Sequence, residues 1–200
     1  ELGTKTVSGR GTNTFSSPSD VVVGRNGDIF VADGHATGTN ERIVKFDRNG
    51  NYIMEWGNPG FGPCGTNQFS SLHALELDSQ GRLFVGDRDN NRIQIFDQDG
   101  ALLYIWTQFG KPSGLFIDRD DRLYVSDGLS GVERPGWRSN YGWERGIRIG
   151  SAATGWVTEF ILDAAVPQGS GIEFLAADHD GNIYAGEVGK QRLAVYRLAR

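Results

Sequence analysis

Four stretches of this chain align with one another without a gap. They are PSDVVVGRNGDIFVADG (Pro18 to Gly34), LHALELDSQGRLFVGDR (Leu72 to Arg88), PSGLFIDRDDRLYVSDG (Pro112 to Gly128) and IEFLAADHDGNIYAGEV (Ile172 to Val188). Each runs an apolar stretch, a polar turn, four residues of alternating apolar character and then an acid. RIVKFD (Arg42 to Asp47), RIQIFD (Arg92 to Asp97) and RLAVYR (Arg192 to Arg197) follow the first, second and fourth. A unit of several short strands that recurs at about 40–60 residues cannot bury its faces alone and must stack radially, which predicts an all-β fold, a β-propeller.

Each unit reads as one blade of up to four strands, a to d from the inside out, with blades over about 14–57, 68–107, 111–161 and 167–197 in a single domain of 200 residues. Turns such as Arg25-Asn26-Gly27 and Arg48-Asn49-Gly50 separate the strands with hairpin chemistry. Phe30, Phe46, Phe84, Phe96, Tyr124, Tyr184 and Tyr196 recur as expected inter-blade core. GluLeuGly at 1–3 matches GluTrpGly at 55–57, so residues 1–3 read as the end of an outer strand. Two arrangements follow: a closed four-bladed ring in which that strand clasps the last blade, or the later part of a larger ring.

The 29 glycines are a high count, as expected when every strand pair needs a tight turn, the net charge of -5 argues against nucleic acid, and no apolar run reaches the length of a membrane span. The single cysteine, Cys64, has no internal partner and lies in a Gly/Pro linker.

The acid closing strand b (Asp33, Asp87, Asp127, Glu187) and the arginine opening strand c (Arg42, Arg92, Arg192) repeat, which is the mark of scaffolding; chemistry is expected where the repeat breaks. The residue before each inner strand faces the channel mouth, and these are Ser19, His73, Ser113 and Glu173. The loops after strand b open on the same face and bring His35 and Arg88. His73 and Glu173 are therefore candidate metal ligands, neutral imidazole and carboxylate suiting zinc or another divalent ion; as bland alternatives, His73 is a hydrogen-bonded channel histidine and His179 an inert turn residue. The third unit carries a long insertion, Gly128 to Gly146, rich in aromatics and arginine: Arg134, Trp137, Arg138, Tyr141 and Trp143. It reads as a lid or specificity wall, with Trp137, Arg138, Tyr141 and Trp143 as substrate-binding candidates, or as a rim that packs on a partner.

On the segments ELGTKTVSG, PSDVVVGRNGDIFVADG, FSSLHALELDSQGRLFVGDRDNNRIQIFD and GIRIGSAATGWVTEFI, the chain resembles NHL-repeat propellers, and more closely bacterial relatives of the peptidyl-α-hydroxyglycine α-amidating lyase. That resemblance implies a six-bladed ring of which these would be the later four blades, a zinc held by three histidines on alternate blades, an assisting arginine and tyrosine, and an extracytoplasmic or secreted setting. The reaction implied cleaves the N–C bond of a peptidyl hydroxyglycine to give a peptide amide and glyoxylate. Carried across, His73 matches one zinc histidine and Arg88 the arginine, Glu173 stands at another histidine's place, and His35 stands at the tyrosine's.

Three readings result. The first is a metal-dependent lyase or hydrolase acting at the channel mouth on a small organic or peptidyl substrate, with Arg88 holding a carboxylate or oxyanion and His35 transferring a proton. The second is a non-catalytic NHL propeller that binds a protein or glycan through 128–146. The third is a calcium site of the lactonase kind around Glu173, Asn90 and Asp127.

Overall fold

The computed structural model describes residues 1–35, 38–62, 65–131, 140–163 and 171–197. Strands β1 (Pro18–Val23), β2 (Ile29–Asp33), β3 (Arg42–Phe46) and β4 (Tyr52–Trp56) form the first antiparallel meander. Two short strands, β5 (Asn58–Pro59) and β6 (Gln68–Phe69), pair in parallel on the way to the second. That sheet holds β7 (Leu72–Leu77), β8 (Leu83–Asp87), β9 (Arg92–Phe96) and β10 (Leu102–Trp106). The third holds β11 (Pro112–Ile117), β12 (Arg122–Asp127), β13 (Gly146–Ser151) and β14 (Val157–Leu162). The fourth holds β15 (Ile172–Ala177), β16 (Ile183–Glu187) and β17 (Arg192–Tyr196). This is the expected all-β propeller arrangement, with β1 packed on β7, β7 on β11 and β11 on β15 at its centre.

Three apolar clusters sit between successive blades. Phe30, Ile43 and Trp56 meet Phe69, Leu75 and Phe96 between the first two. Phe84, Ile93 and Trp106 meet Phe109, Leu115 and Val125 between the second and third, and Tyr124, Ile147 and Ile149 meet Ile172, Leu175 and Ile183 between the third and fourth. Tyr184 departs from the expectation: it is 38% exposed, and its hydroxyl donates to Asp178 Oδ2. Phe46 is buried, but against Leu2 and Phe15 rather than between blades.

The turns follow from aspartate chemistry. Asp78 Oδ1 accepts the amides of Gln80 and Arg82 in the second blade, and Asp118 and Asp178 repeat the pattern in the third and fourth. A short side chain that bonds the backbone two and four residues on closes the hairpin locally. Asp121 takes the left-handed position (φ 56°) that Gly27, Gly81 and Gly181 fill in the other blades.

The repeated acid and arginine are scaffold. Arg42 Nε donates to Asp33 at 2.9 Å and Arg92 Nε to Asp87 at 2.7 Å, and Arg192 pairs with Glu187. Asp33 also accepts the Ser16 amide and Asp87 the Ser70 amide, while Arg42 reaches the carbonyls of Arg10, Gly11 and Thr14. The first two pins thus tie the incoming linker to their own blade. In the third blade Gly146 stands opposite Asp127, where the other blades have arginine. Arg148, two residues along the same face of β13, takes over and meets Asp127 at 3.3 Å.

The sequence offers residues 1–3 two places, as a clasp on the last blade or as the end of a neighbouring one. Residues 1–3 make no strand; Leu2 packs beside Phe15 on the first blade, and the fourth sheet has three strands among the described residues.

Candidate functional site at the channel mouth

The inner strands share one irregularity. Register slips between Pro18 and Asp20, between Leu72 and Ala74, between Pro112 and Gly114, and between Ile172 and Phe174. The extra residue of each bulge is Ser19, His73, Ser113 or Glu173. A β-bulge leaves its extra residue out of the ladder and re-aims the side chain. All four line one channel of about 420 Å³ bounded by β1, β7, β11 and β15. A larger cavity, of about 850 Å³, lies at the other end of the strands among the aspartate turns and contains none of the candidate residues.

At the mouth, His73 Nε2 stands 3.5 Å from Glu173 Oε2, and Arg88 Nη1 stands 3.4 Å from the same oxygen. The His35 ring lies 4.7 Å from the His73 ring, centroid to centroid. The structure therefore brings together all four residues singled out from blades one, two and four. Their supports were not singled out. Ser71 Oγ accepts from Arg88 Nη2 at 2.9 Å and donates to the His35 carbonyl at 2.8 Å. Lys111 Nζ and Asp89 Oδ1 are 3.4 Å apart beside Arg88. Glu41, 3% exposed, reaches from the first blade and accepts the amides of Ser71 (2.8 Å) and Leu72 (3.1 Å). The backbone positions of the last two recur: Glu41 (φ 48°) matches left-handed Asn91 (φ 55°) and Gln191 (φ 50°) before strand c, and Ser71 (φ 58°) matches left-handed Ser17 (φ 61°) before strand a, so the repeat marks the turns and not the carboxylate that crosses between blades.

The electrostatics favour a neutral histidine pair. Burial, with Arg88 adding to it, lowers the His73 pKa to about 3, and the same two causes lower that of His35. His73 Nδ1 faces the Ser113 carbonyl, which can only accept, so the proton of the neutral ring sits on Nδ1. Nε2 is then a bare lone pair aimed at a carboxylate oxygen. Two acceptors facing each other at 3.5 Å call for something positive or proton-donating between them. Burial also lowers the pKa of Arg88, with Glu173, Asp89 and Glu41 opposing the shift.

The donor set fits a divalent ion at two positions, through neutral imidazole and carboxylate, with the Nδ1–carbonyl bond serving as an orienting outer contact. A catalytic zinc takes three protein ligands, and among the described residues no group of three or more metal-binding side chains occurs. Calcium fits less well. Asp127 is bonded to Arg148 and the amides of Leu129 and Ser130, and Asn90 is bonded to Asp87, so neither joins Glu173.

Of the insertion, Trp137 and Arg138, with Arg134, lie outside the described residues, as does Cys64 in its linker. Tyr141 is 76% exposed. Trp143 has a packing role instead: the Arg148 guanidinium stands 4.6 Å from its ring and 4.6 Å from that of Phe160. His179 is exposed and remote, as its turn position implies.

Comparison with known proteins agrees with this architecture. The NHL repeat family matches residues 69–96. NHL repeat-containing protein 3 of Homo sapiens is 38% identical over 132 residues, covering 62% of this chain and 37% of that protein. A probable peptidyl-alpha-hydroxyglycine alpha-amidating lyase of Caenorhabditis elegans is 41% identical over 48% of this chain and 26% of its own length. Peptidyl-glycine alpha-amidating monooxygenase B of Xenopus laevis is 29% identical over 86% of this chain and 19% of its length. The chain thus spans well under half of these relatives. Among solved structures, the WD40 propeller domain of Doa1 superposes with a TM-score of 0.62 at 15% identity, covering 92% of this chain and 52% of that one. Virginiamycin B lyase from Staphylococcus aureus does so with a TM-score of 0.59 at 18% identity, covering 92% and 57%. These two likenesses carry the fold.

Proposed function

We propose that this NHL-repeat β-propeller is a lyase-type enzyme whose reacting centre is the cluster of His35, His73, Arg88 and Glu173, acting on a hydroxyglycine-like substrate. The observation that carries the reading is the bare His73 Nε2 facing Glu173 Oε2 at 3.5 Å, with Arg88 on the same oxygen. The repeated Asp–Arg pins are closed pairs, whereas His73 Nε2 and Glu173 Oε2 face each other acceptor to acceptor, a gap that a ligand would fill. The amidating-lyase relatives point to the same chemistry.

Arg88, a planar cation with fixed donors, would take the substrate carboxylate. His35, neutral and on the open side of His73, would accept the hydroxyl proton as the carbonyl forms and return it to the departing amide nitrogen. The N–C bond breaks, its electron pair goes to that nitrogen, and the products are an amide and glyoxylate. No further reactant is needed. His73 and Glu173 would hold a divalent ion, zinc ahead of calcium, which when bound polarises a substrate oxygen as a Lewis acid. The binding-propeller reading stands second because Trp143 is committed to Arg148, leaving Tyr141 as the exposed aromatic among the described residues of that loop.

The test is glyoxylate release from an N-acyl hydroxyglycine by the purified protein and by Arg88→Ala. The reading expects release by the wild type and a loss of about 10²–10³-fold in the variant, the size typical of removing one preorganised charge-stabilising donor. Release at equal rates by both, or by neither, contradicts it.

A further inference from the structure

We infer that Glu41 is the positioning residue of this site: its carboxylate, carried on the first blade, sets segment 71–73 of the second and through Ser71 places both His35 and Arg88. The inference takes the site to be the reacting centre proposed above, but its geometry stands independently.

Glu41 spans an interface. Its backbone is fixed by a close approach: a Cβ on Gly34 (φ 152°) would lie 2.4 Å from the Glu41 nitrogen, so only glycine at 34 lets the loop fold back this far. From there the carboxylate crosses to the second blade. Its two oxygens accept the consecutive amides of Ser71 and Leu72, the residues immediately before His73. Amide bonds to a carboxylate are charge-assisted and fix the peptide planes on both sides. The Ser71 hydroxyl then completes two more links, accepting from Arg88 and donating to the His35 carbonyl. One side chain thus controls the entry of the His73 bulge, the donor fork of Arg88 and the backbone of His35. The hydrogen bonds of Glu41 go to these backbone amides of Ser71 and Leu72, and toward Arg88 it acts as a nearby charge. Asp87, a neighbouring acid, is held by its own arginine, asparagine and glutamine; at the position of Glu41 before strand c the other blades carry Asn91, Arg145 and Gln191, so the carboxylate is particular to the first blade.

The chain has three histidines, which makes the test direct. Ring resonances of 15N-histidine-labelled protein are recorded for wild type, Glu41→Gln and Glu41→Ala. The expected result is displacement of the His35 and His73 signals by more than a linewidth in Glu41→Ala, a smaller displacement in Glu41→Gln, which keeps one acceptor oxygen, and an unmoved His179 signal. The accompanying kcat/KM for glyoxylate release should fall at least tenfold in Glu41→Ala and be partly restored in Glu41→Gln. Folded variants with wild-type His35 and His73 signals overturn the inference, and Glu41→Gln alone decides if Glu41→Ala does not fold. If the wild type releases no glyoxylate, the proposed function fails while the resonances still decide the positioning role.

Discussion

Two arginine–carboxylate contacts in the second blade lie a few residues apart and teach opposite lessons. Arg92 meets Asp87 at 2.7 Å, and Asp87 is further saturated by the Ser70 amide, Asn90 and Gln94. Arg88 meets Glu173 of the fourth blade at 3.4 Å, and the same oxygen faces a lone pair of His73. The first contact is short and recurs along the chain; the second is longer, occurs once, and shares its carboxylate oxygen with a histidine lone pair. Scaffold pairs neutralise buried charge completely, because a buried charge left without its partner is costly. A site keeps part of that demand unmet, so that a ligand can meet it.

This contrast can be broken experimentally. Arg92→Ala should lose about 3–5 kcal/mol of stability, the usual cost of orphaning a buried carboxylate, read by denaturant melts. Arg88→Ala should cost clearly less in the same melts while removing the reaction; equal losses would make both pairs scaffold. The insertion gives a smaller effect. Trp143→Ala should cost about 0.5–2 kcal/mol through the lost cation–π contact with Arg148 and leave KM unchanged, measured by melts and steady-state kinetics.

A pH series sharpens the comparison at Glu41. Burial, reinforced by Asp87 and Asp89, raises its pKa from 4.5 to about 7. The folded protein therefore holds this proton more tightly than the unfolded chain, so the group's contribution is fully present below pH 4.5 and is lost as pH rises through 7. Wild type should lose stability relative to Glu41→Gln between pH 5 and pH 8, and parallel melting curves across that range would contradict the burial. The smallest effect belongs to Tyr141→Ala, which should leave melting and kinetics unchanged if this exposed ring serves neither core nor site.

The blades were legible in the sequence because strand, turn and strand recur with the same apolar alternation, and each turn carries the aspartate or glycine its geometry needs. The four site residues were legible for the opposite reason: His73 and Glu173 interrupt a position that is otherwise serine. What places them was not legible. A bulge adds one residue to a strand without altering its composition, so the re-aiming of His73 and Glu173 appears only in the pairing register. Arg148 escapes the repeat because Gly146 displaces its role by two residues, and Trp143 reads from sequence as a substrate-binding candidate because nothing local shows the Arg148 guanidinium over its ring. Glu41 acts across an interface between blades, a contact that no local pattern encodes.

The most direct test of the account is calorimetric titration of zinc into wild type and His73→Ala near neutral pH. Saturable binding in the wild type, lost in His73→Ala, is the predicted result. No binding in the wild type, or equal binding in both proteins, would contradict the claim that the bulge residues of alternate blades converge on one reactive site.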